Sequence, residues 1–143
     1  MIRVVAAVIE HKGRLLICQR RARGTLGLRW EFPGGKMRAS ESPRAALARE
    51  LREELGIAVK IGARICRTCH RYAEHADTLE IQFFAAAHPR PAPRNLVFER
   101  IAWAHRAELP RYDFLPADRL LISRLARGEF SAAFARLSPA ASA

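Results

Sequence analysis

Three glutamates on one face of a predicted helix constrain this chain more than any other feature of its sequence. Ser42 is a suitable N-cap and Gly56 a suitable C-terminal stop, so the residues between them are expected to form a helix. Glu50, Glu53 and Glu54 stand at positions i, i+3 and i+4, which puts their carboxylates on one face. Like charges at this spacing destabilise a helix, so the trio indicates a compensating cation. Hard carboxylate oxygens suit Mg²⁺ or Mn²⁺.

The turn Phe32-Pro33-Gly34-Gly35 precedes this helix, and its two glycines let the backbone approach a ligand or expose a carbonyl toward a metal. Turn and helix together follow the spacing G-x5-E-x7-R-E-U-x-E-E-x-G-U, in which U is apolar. Its members are Gly35, Glu41, Arg49, Glu50, Leu51, Glu53, Glu54, Gly56 and Ile57. At residue frequencies of about 5–10 %, a chance match is rarer than about one in a million windows. A merely solvated acidic helix does not account for it.

This spacing resembles the Nudix box with no position missing. The resemblance implies an α/β fold of the Nudix type: an α/β/α sandwich with a mixed β-sheet between helices, in which the box forms a loop–helix–loop. The segments WEFPGGK at residues 30–36 and LPAD at residues 115–118 are similar to the MutT-type branch. Enzymes of that branch hydrolyse nucleoside triphosphates to the monophosphate and pyrophosphate, which becomes the expected reaction.

The resemblance also implies roles for the residues of the box. Glu50, Glu53 and Glu54 are the expected metal ligands, with the Gly34 carbonyl as an addition. One of these glutamates or a loop carboxylate is expected to take the proton of the attacking water, and the sequence leaves open which one. The other box positions are expected to shape the loop and the helix; they are Gly35, Glu41, Arg49 and Gly56. Among them, Glu41 and Arg49 are expected to form an ion pair.

Three residues outside the helix are further candidates. By resemblance, Arg20 holds phosphate, whereas the alternative is a surface arginine at a strand end. Phe32 either stacks on the base or anchors its own turn in the core. The family commonly carries another catalytic or metal-binding glutamate about six residues before the Trp of the late strand. Counting back from Trp103 reaches Val97, so the nearby carboxylate of Glu99 is the candidate.

Asp118 is the candidate reader of the base, at a position where MutT-type enzymes that favour oxidised guanine typically have Asn. An Asn amide donates one hydrogen bond and accepts another, whereas an ionised Asp only accepts. An ionised Asp118 would suit the exocyclic amine of cytosine, and a protonated one in a dry pocket would suit an oxopurine edge. The third interpretation makes Asp118 a plain N-cap of the last helix.

Length and composition predict one domain. The chain has 143 residues, of which 50 % are hydrophobic, enough for a single core. We place the Nudix domain at residues 1–127, and residues 128–143 as an Ala- and Ser-rich tail that is expected to fray, with Phe130 and Phe134 able to hold it. The odd count of three cysteines, Cys18, Cys66 and Cys69, argues against disulfides and for reduced thiols in a cytoplasmic protein. No apolar run is long enough for a membrane span.

Apolar alternation and turn residues predict the order β-β-α-β-β-β-β-α. The strands are expected in a hairpin at 3–10 and 14–20, a strand at 57–65, a second hairpin at 67–73 and 78–87 around His75-Ala76-Asp77, and a strand at 100–104. The second helix is expected at 117–126, with Leu120, Leu121 and Leu125 facing inward.

The net charge of +11 favours anionic partners. The arginines are scattered and no basic run alternates with aromatics, so a nucleic-acid-binding Nudix-fold module is the less favoured function. The leading hypothesis is a Mg²⁺-dependent pyrophosphohydrolase of nucleoside triphosphates, acting on oxidised nucleotides such as 8-oxo-dGTP in nucleotide-pool sanitation. The alternative substrate is CTP or 5-substituted dCTP. The sequence leaves the oligomeric state open, a homodimer included.

Overall fold

A computed structural model describes residues 1–71 and 77–138, and its centre is one mixed β-sheet. The main path of the sheet runs in the order β3-β2-β1-β6-β5, while β4 pairs with β1 and β7 with β2. The strands are β1 (Ile2–His11), β2 (Arg14–Gln19), β3 (Trp30–Glu31), β4 (Gly34–Lys36), β5 (Ala58–His70), β6 (Leu79–Arg90) and β7 (Arg100–His105). The helices are α1 (Pro43–Leu55), α2 (Arg119–Ala126) and α3 (Ser131–Ala135), and 3₁₀ helices occur at Arg106–Arg111 and Pro116–Asp118.

Both faces of the sheet are covered, which makes the fold an α/β/α sandwich. Strands β1 and β6 pair in parallel at the centre, and their side chains alternate between two apolar clusters. Val5 and Ile9 of β1 pack with Leu47 and Leu51 of α1 on one face. Val8 of β1 packs with residues of α2 and α3 on the other face. The predicted fold class is therefore confirmed.

The local signals around α1 are confirmed in detail. The Ser42 hydroxyl accepts a hydrogen bond from the Ala45 N–H at 3.1 Å, and Pro43 occupies the first helical turn. Gly56 ends the helix in the left-handed region, at φ 64°, and its N–H donates to the Arg52 carbonyl at 3.0 Å. The first hairpin, β1 and β2, also forms as predicted.

The strand predictions after α1 are partly wrong. A single strand, β5, replaces the two that were expected at 57–65 and 67–73. Its register against β6 shifts three times, and such bulges interrupt the alternation on which the sequence-based boundary rested. The antiparallel pairing of β5 with β6 agrees with the second hairpin. The predicted turn lies outside the described residues except for Asp77.

The predicted second helix is wrong in its start and in one inward residue. A 3₁₀ turn occupies Pro116–Asp118, and α2 begins only at Arg119. Leu120 is 64 % exposed, and Ile122 is buried with Leu121 and Leu125 instead. Residues i, i+1 and i+4 share a helix face, and Leu120 points to the opposite side.

The part of the predicted tail that the structure describes, residues 128–138, contains helix α3. Helix α3 buries Phe134, and Leu137 is buried behind it. The Arg124 guanidinium lies over the Phe130 ring at 4.6 Å from its centroid. No helix of the described residues is long and apolar enough to cross a membrane.

Candidate active site

A cavity of about 590 Å³ opens between β1, the Trp30–Gly35 segment and the 3₁₀ helix that precedes α2. The N-terminal part of β6 and the loop after β2 complete its wall. Of the predicted site residues, it is lined by Arg20, Phe32, Gly34, Gly35, Glu54 and Asp118. The fold thus brings the box helix and the candidate base reader, more than sixty residues apart in sequence, to one cavity.

Arg49 holds the rim of the glutamate face. Its guanidinium contacts Glu41 at 2.7 Å, Glu50 at 2.8 Å and Glu53 at 3.4 Å. Hydrogen bonds from Arg49 and from the Arg38 N–H lower the pKa of Glu41 to about 2. Arg49 therefore fixes the loop to the helix through Glu41 and also orients two of the three helix carboxylates.

Glu54 lies deepest and lacks a cationic partner among the described residues. Its Oε1 accepts a hydrogen bond from the Gly34 N–H at 2.9 Å. Burial, together with the charges of Glu50, Glu31 and Glu53, raises the pKa of Glu54 to about 8, against the lowering effect of the hydrogen bond from the Gly34 N–H. The site thus concentrates acidic groups without enough positive charge to balance them.

The donor chemistry of this cluster fits a hard divalent cation. Within residues 1–71 and 77–138, no three His, Cys, Asp or Glu side chains form a ready metal cage. Instead, Arg49 binds Glu50 and Glu53, and a backbone N–H binds Glu54. Carboxylate oxygens at one helix face, with unbalanced negative charge, are the donors that Mg²⁺ and Mn²⁺ prefer.

Gly35 and Gly34 make room for different neighbours. A Cβ on Gly35 would lie 2.6 Å from both carboxylate oxygens of Glu50. A Cβ on Gly34 would collide with the backbone of Val5, and with the Cα of Ala6 at 2.7 Å. Gly34 therefore allows the turn to pack closely against β1, and Gly35 leaves the space that the Glu50 carboxylate occupies.

Replacing each glycine by alanine is expected to affect a different property, turnover at Gly35 and stability at Gly34. Gly35→Ala should lower kcat by about tenfold or more at little cost in melting temperature, because only the flexible end of Glu50 must move. Gly34→Ala should instead destabilise the fold by about 2 kcal/mol or more, since backbone atoms block the methyl group. Thermal melts and steady-state kinetics of both variants check this. A Gly35→Ala enzyme with normal turnover would contradict the assigned role of Glu50.

Asp118 is buried at the opposite end of the cavity. It is 3 % exposed, and its side chain makes no capping hydrogen bond to α2. The interpretation as a plain N-cap is therefore wrong, because a 3₁₀ turn precedes α2 and the carboxyl accepts no hydrogen bond from the helix N–H groups. Burial, and to a smaller extent the charge of Glu31, raises the pKa of Asp118 to about 8, against the lowering effect of Arg20.

Glu31 is a cavity residue that the sequence analysis missed. Its carboxylate accepts a hydrogen bond from Arg20 Nη1 at 3.3 Å, and burial raises its pKa. The alternation of β3 was an available signal: Trp30 and Phe32 are buried in the core, so the residue between them faces the opposite way. Arg20 thus lies at the cavity as expected, paired with an acid.

The two remaining candidates differ in position. Phe32 is 3 % exposed and packs against Phe83 and Phe114, yet it also lines the cavity. It therefore anchors its turn in the core and also forms part of the cavity wall. Glu99 is exposed just before β7, where its N–H donates to the Gln19 carbonyl at 2.9 Å. It does not line the cavity.

The family follows from a match across most of the chain. A family model described as "NUDIX domain" matches residues 4–124. The chain belongs to the Nudix hydrolase family. The match covers the cavity from β1 to α2, so box and base-end residues lie within one Nudix domain.

Several named relatives agree with this assignment. The chain is 36 % identical over 126 residues to the Escherichia coli CTP pyrophosphohydrolase, covering 82 % of this chain and 86 % of that protein. It is 40 % identical over 124 residues to the putative 8-oxo-dGTP diphosphatase 2 of Mycobacterium tuberculosis, covering 87 % of each. The solution structure of the E. coli ORF135 protein superposes with a TM-score of 0.80 at 31 % identity, over 92 % of both chains.

Proposed function

We propose that this Nudix hydrolase converts a nucleoside triphosphate and water to the nucleoside monophosphate and pyrophosphate, and that it prefers oxidised guanine nucleotides such as 8-oxo-dGTP. The observation that carries the base preference is the buried carboxyl of Asp118 in the wall of the cavity. The acidic helix face at the opposite side of that cavity supports the phosphate chemistry.

The triphosphate end rests on Glu50, Glu53 and Glu54 as ligands of Mg²⁺ or Mn²⁺, with the Gly34 carbonyl as a further donor. A cation bound there would neutralise phosphate charge and make a water molecule more acidic. Arg49 orients two of the carboxylates, and the Gly34 N–H orients the third. Arg20, released from Glu31 or sharing it, is placed to bind a phosphate oxygen.

The base end rests on the neutral form of Asp118. A neutral carboxyl donates one hydrogen bond and accepts another. Guanine offers two acceptors, N7 and O6, on its major-groove edge, and so leaves the carbonyl of that carboxyl unpaired. In 8-oxoguanine N7 carries a hydrogen, and the edge becomes one donor beside one acceptor. The neutral carboxyl therefore matches the oxidised base and mismatches the intact one.

Cytosine nucleotides are the second candidate substrate. The 36 % identity to the relative named CTP pyrophosphohydrolase supports this candidate. A neutral carboxyl also matches N3 and the N4 amine of cytosine, which are an acceptor and a donor side by side. CTP or 5-substituted dCTP would then occupy the same cavity through the same residue, and only the size of the base would differ.

A substrate panel tests both candidates. The rates of 8-oxo-dGTP, dGTP, CTP, dCTP and 5-methyl-dCTP would be measured with Mg²⁺, and both products identified. We expect monophosphate and pyrophosphate, with 8-oxo-dGTP preferred over dGTP by about 10²-fold. A higher kcat/KM for CTP than for 8-oxo-dGTP would establish the second candidate. Absence of turnover with every triphosphate would contradict the proposed function.

Labelled water locates the bond that breaks. In the MutT-type reaction water attacks the β-phosphorus, so hydrolysis in ¹⁸O-water is expected to place the label in pyrophosphate. Mass spectrometry of the two products reads this directly. Label in the monophosphate would instead indicate attack at the α-phosphorus, and release of orthophosphate would assign the enzyme to a different reaction.

A further inference from the structure

An arginine of the loop after β2 connects the two sides of the cavity mouth. This loop, residues 20–29, is closed at its base by hydrogen bonds from Arg20 N to the Arg29 carbonyl at 2.8 Å and from Leu28 N to the Arg20 carbonyl at 3.1 Å. Arg21 Nε donates to the Val97 carbonyl at 2.8 Å, across 76 positions of sequence. Both Arg21 and Val97 line the cavity.

The far side of this contact is fixed to the box helix. In the segment 94–98, Arg94 N donates to the Leu55 carbonyl at 3.0 Å, and Leu96 N to the Glu54 carbonyl at 3.1 Å. Asn95 closes the segment through two hydrogen bonds to the Phe98 backbone, at 2.8 and 2.7 Å. The Val97 carbonyl is therefore presented from a turn that is bonded to the end of α1.

We propose that Arg21 is a positioning residue for the nucleotide, because its bond to the Val97 carbonyl ties the loop 20–29 to the end of the box helix and so sets the width of the cavity mouth. This inference rests on the proposed function. The loop contributes six of its residues to the cavity wall, Arg20 among them. The contact joins the wall that carries Arg20 directly to the segment that is bonded to α1.

The contact is suited to positioning rather than to stability. Arg21 and Asn95 are exposed, and Val97 is 40 % exposed, so the bond contributes little to folding. Its effect should appear in the affinity for substrate, since the loop would have to be ordered at the cost of binding free energy.

Kinetics of Arg21→Gln test the inference. We expect KM for the preferred triphosphate to rise about tenfold with kcat within about twofold of wild type, and an unchanged melting temperature. Asn95→Ala, which frees the turn that presents the carbonyl, should raise KM similarly. The double variant should resemble either single one, because both changes break the same contact. Arg21→Lys retains charge and a donor, and should recover part of the affinity.

Arg29→Gln is the matched control, since it removes one positive charge from the same loop, together with the Arg29–Asp113 ion pair at 3.2 Å, and Arg29 does not line the cavity. Its KM should stay within about twofold of wild type. The inference fails if Arg21→Gln leaves KM unchanged, or if Arg29→Gln raises KM equally. It also fails if the effects of Arg21→Gln and Asn95→Ala on KM multiply in the double variant. Wild-type enzyme without triphosphate turnover would overturn the proposed function instead, and these outcomes are separate.

Discussion

Glu54→Gln and Glu50→Gln are each expected to lower kcat by about 10²-fold or more while the fold is retained. A Gln keeps the shape of Glu54 and can still accept the hydrogen bond from the Gly34 N–H. It loses the negative charge that would hold a divalent cation against phosphate. Steady-state kinetics with Mg²⁺ and circular dichroism at matched temperature measure the two effects. EDTA is expected to abolish turnover of the wild type.

Glu108→Gln provides the matched control for these variants. Glu108 lies in the 3₁₀ helix Arg106–Arg111 with its side chain 42 % exposed, and its carboxylate is 4.0 Å from the Arg14 guanidinium. The same chemical change there should leave kcat and the Mg²⁺ requirement unaltered. Near-normal turnover in either helix variant would contradict the assignment of that glutamate as a metal ligand. A fall in melting temperature large enough to unfold the variant at the assay temperature would indicate a structural role instead.

Glu99→Gln extends this series to the glutamate outside the box. Its exposed position before β7 and its absence from the cavity wall favour a small effect, within about threefold of the wild-type kcat. A loss comparable to that of Glu54→Gln would show that the segment before β7 moves to the metal during the reaction. The measurement is the same kinetic assay, with the same panel of Mg²⁺ concentrations.

The box helix could be predicted from the sequence because each of its signals is local. Ser42 and Gly56 act on groups within three or four residues, and the glutamate spacing follows from helical periodicity alone. The fold class followed from the alternation of elements and from the family resemblance. The parallel pairing of β1 with β6 could not be predicted in this way. It places Ile2 beside Leu79, and no short sequence pattern encodes a contact between such distant residues.

The base end of the cavity could be predicted only in part. The sequence indicated Asp118, but its start-of-helix context also fitted a cap, and only the intervening 3₁₀ turn removes that interpretation. Glu31 was missed because its environment is tertiary: Arg20 comes from another strand end, and the burial that raises the pKa of Glu31 comes from its place in the cavity wall. A sequence pattern predicts which side chains share a face of a helix or strand. It does not predict how deeply a side chain is buried in the folded protein or which residue it pairs with.

Selectivity for 8-oxo-dGTP over dGTP is expected to fall as pH rises through about 8. The pKa of Asp118 is raised from its ordinary 3.8 to about 8, first by burial and then by Glu31, against the lowering effect of Arg20. Below that pH the carboxyl is neutral and has the hydrogen that pairs with O6 of the base. Above it the carboxylate only accepts, and the match to the oxidised edge is lost.

The ratio of kcat/KM for the two nucleotides, measured from pH 6 to pH 9.5, isolates Asp118 from the phosphate chemistry. Both substrates share the triphosphate and the helix glutamates, so their titration cancels in the ratio. Asp118→Asn keeps one donor and one acceptor at every pH, and we expect it to retain the selectivity and to remove its pH dependence. Asp118→Leu keeps the branching at Cγ but has no hydrogen-bonding group, and it should lose about 10²-fold of the ratio.

Stability gives an independent measurement of the same proton. A carboxyl whose pKa is raised on folding contributes stability that is complete below its unfolded value near 4 and is lost as pH rises through about 8. Asp118→Asn removes this loss, so its melting temperature should exceed that of wild type by a margin that grows between pH 5 and pH 8. A helix cap would give the reverse sign. If the nucleotide ratio of the wild type is flat from pH 6 to pH 9.5 and the margin does not grow, Asp118 is ionised in the folded protein. The exocyclic amine of cytosine would then be its better partner.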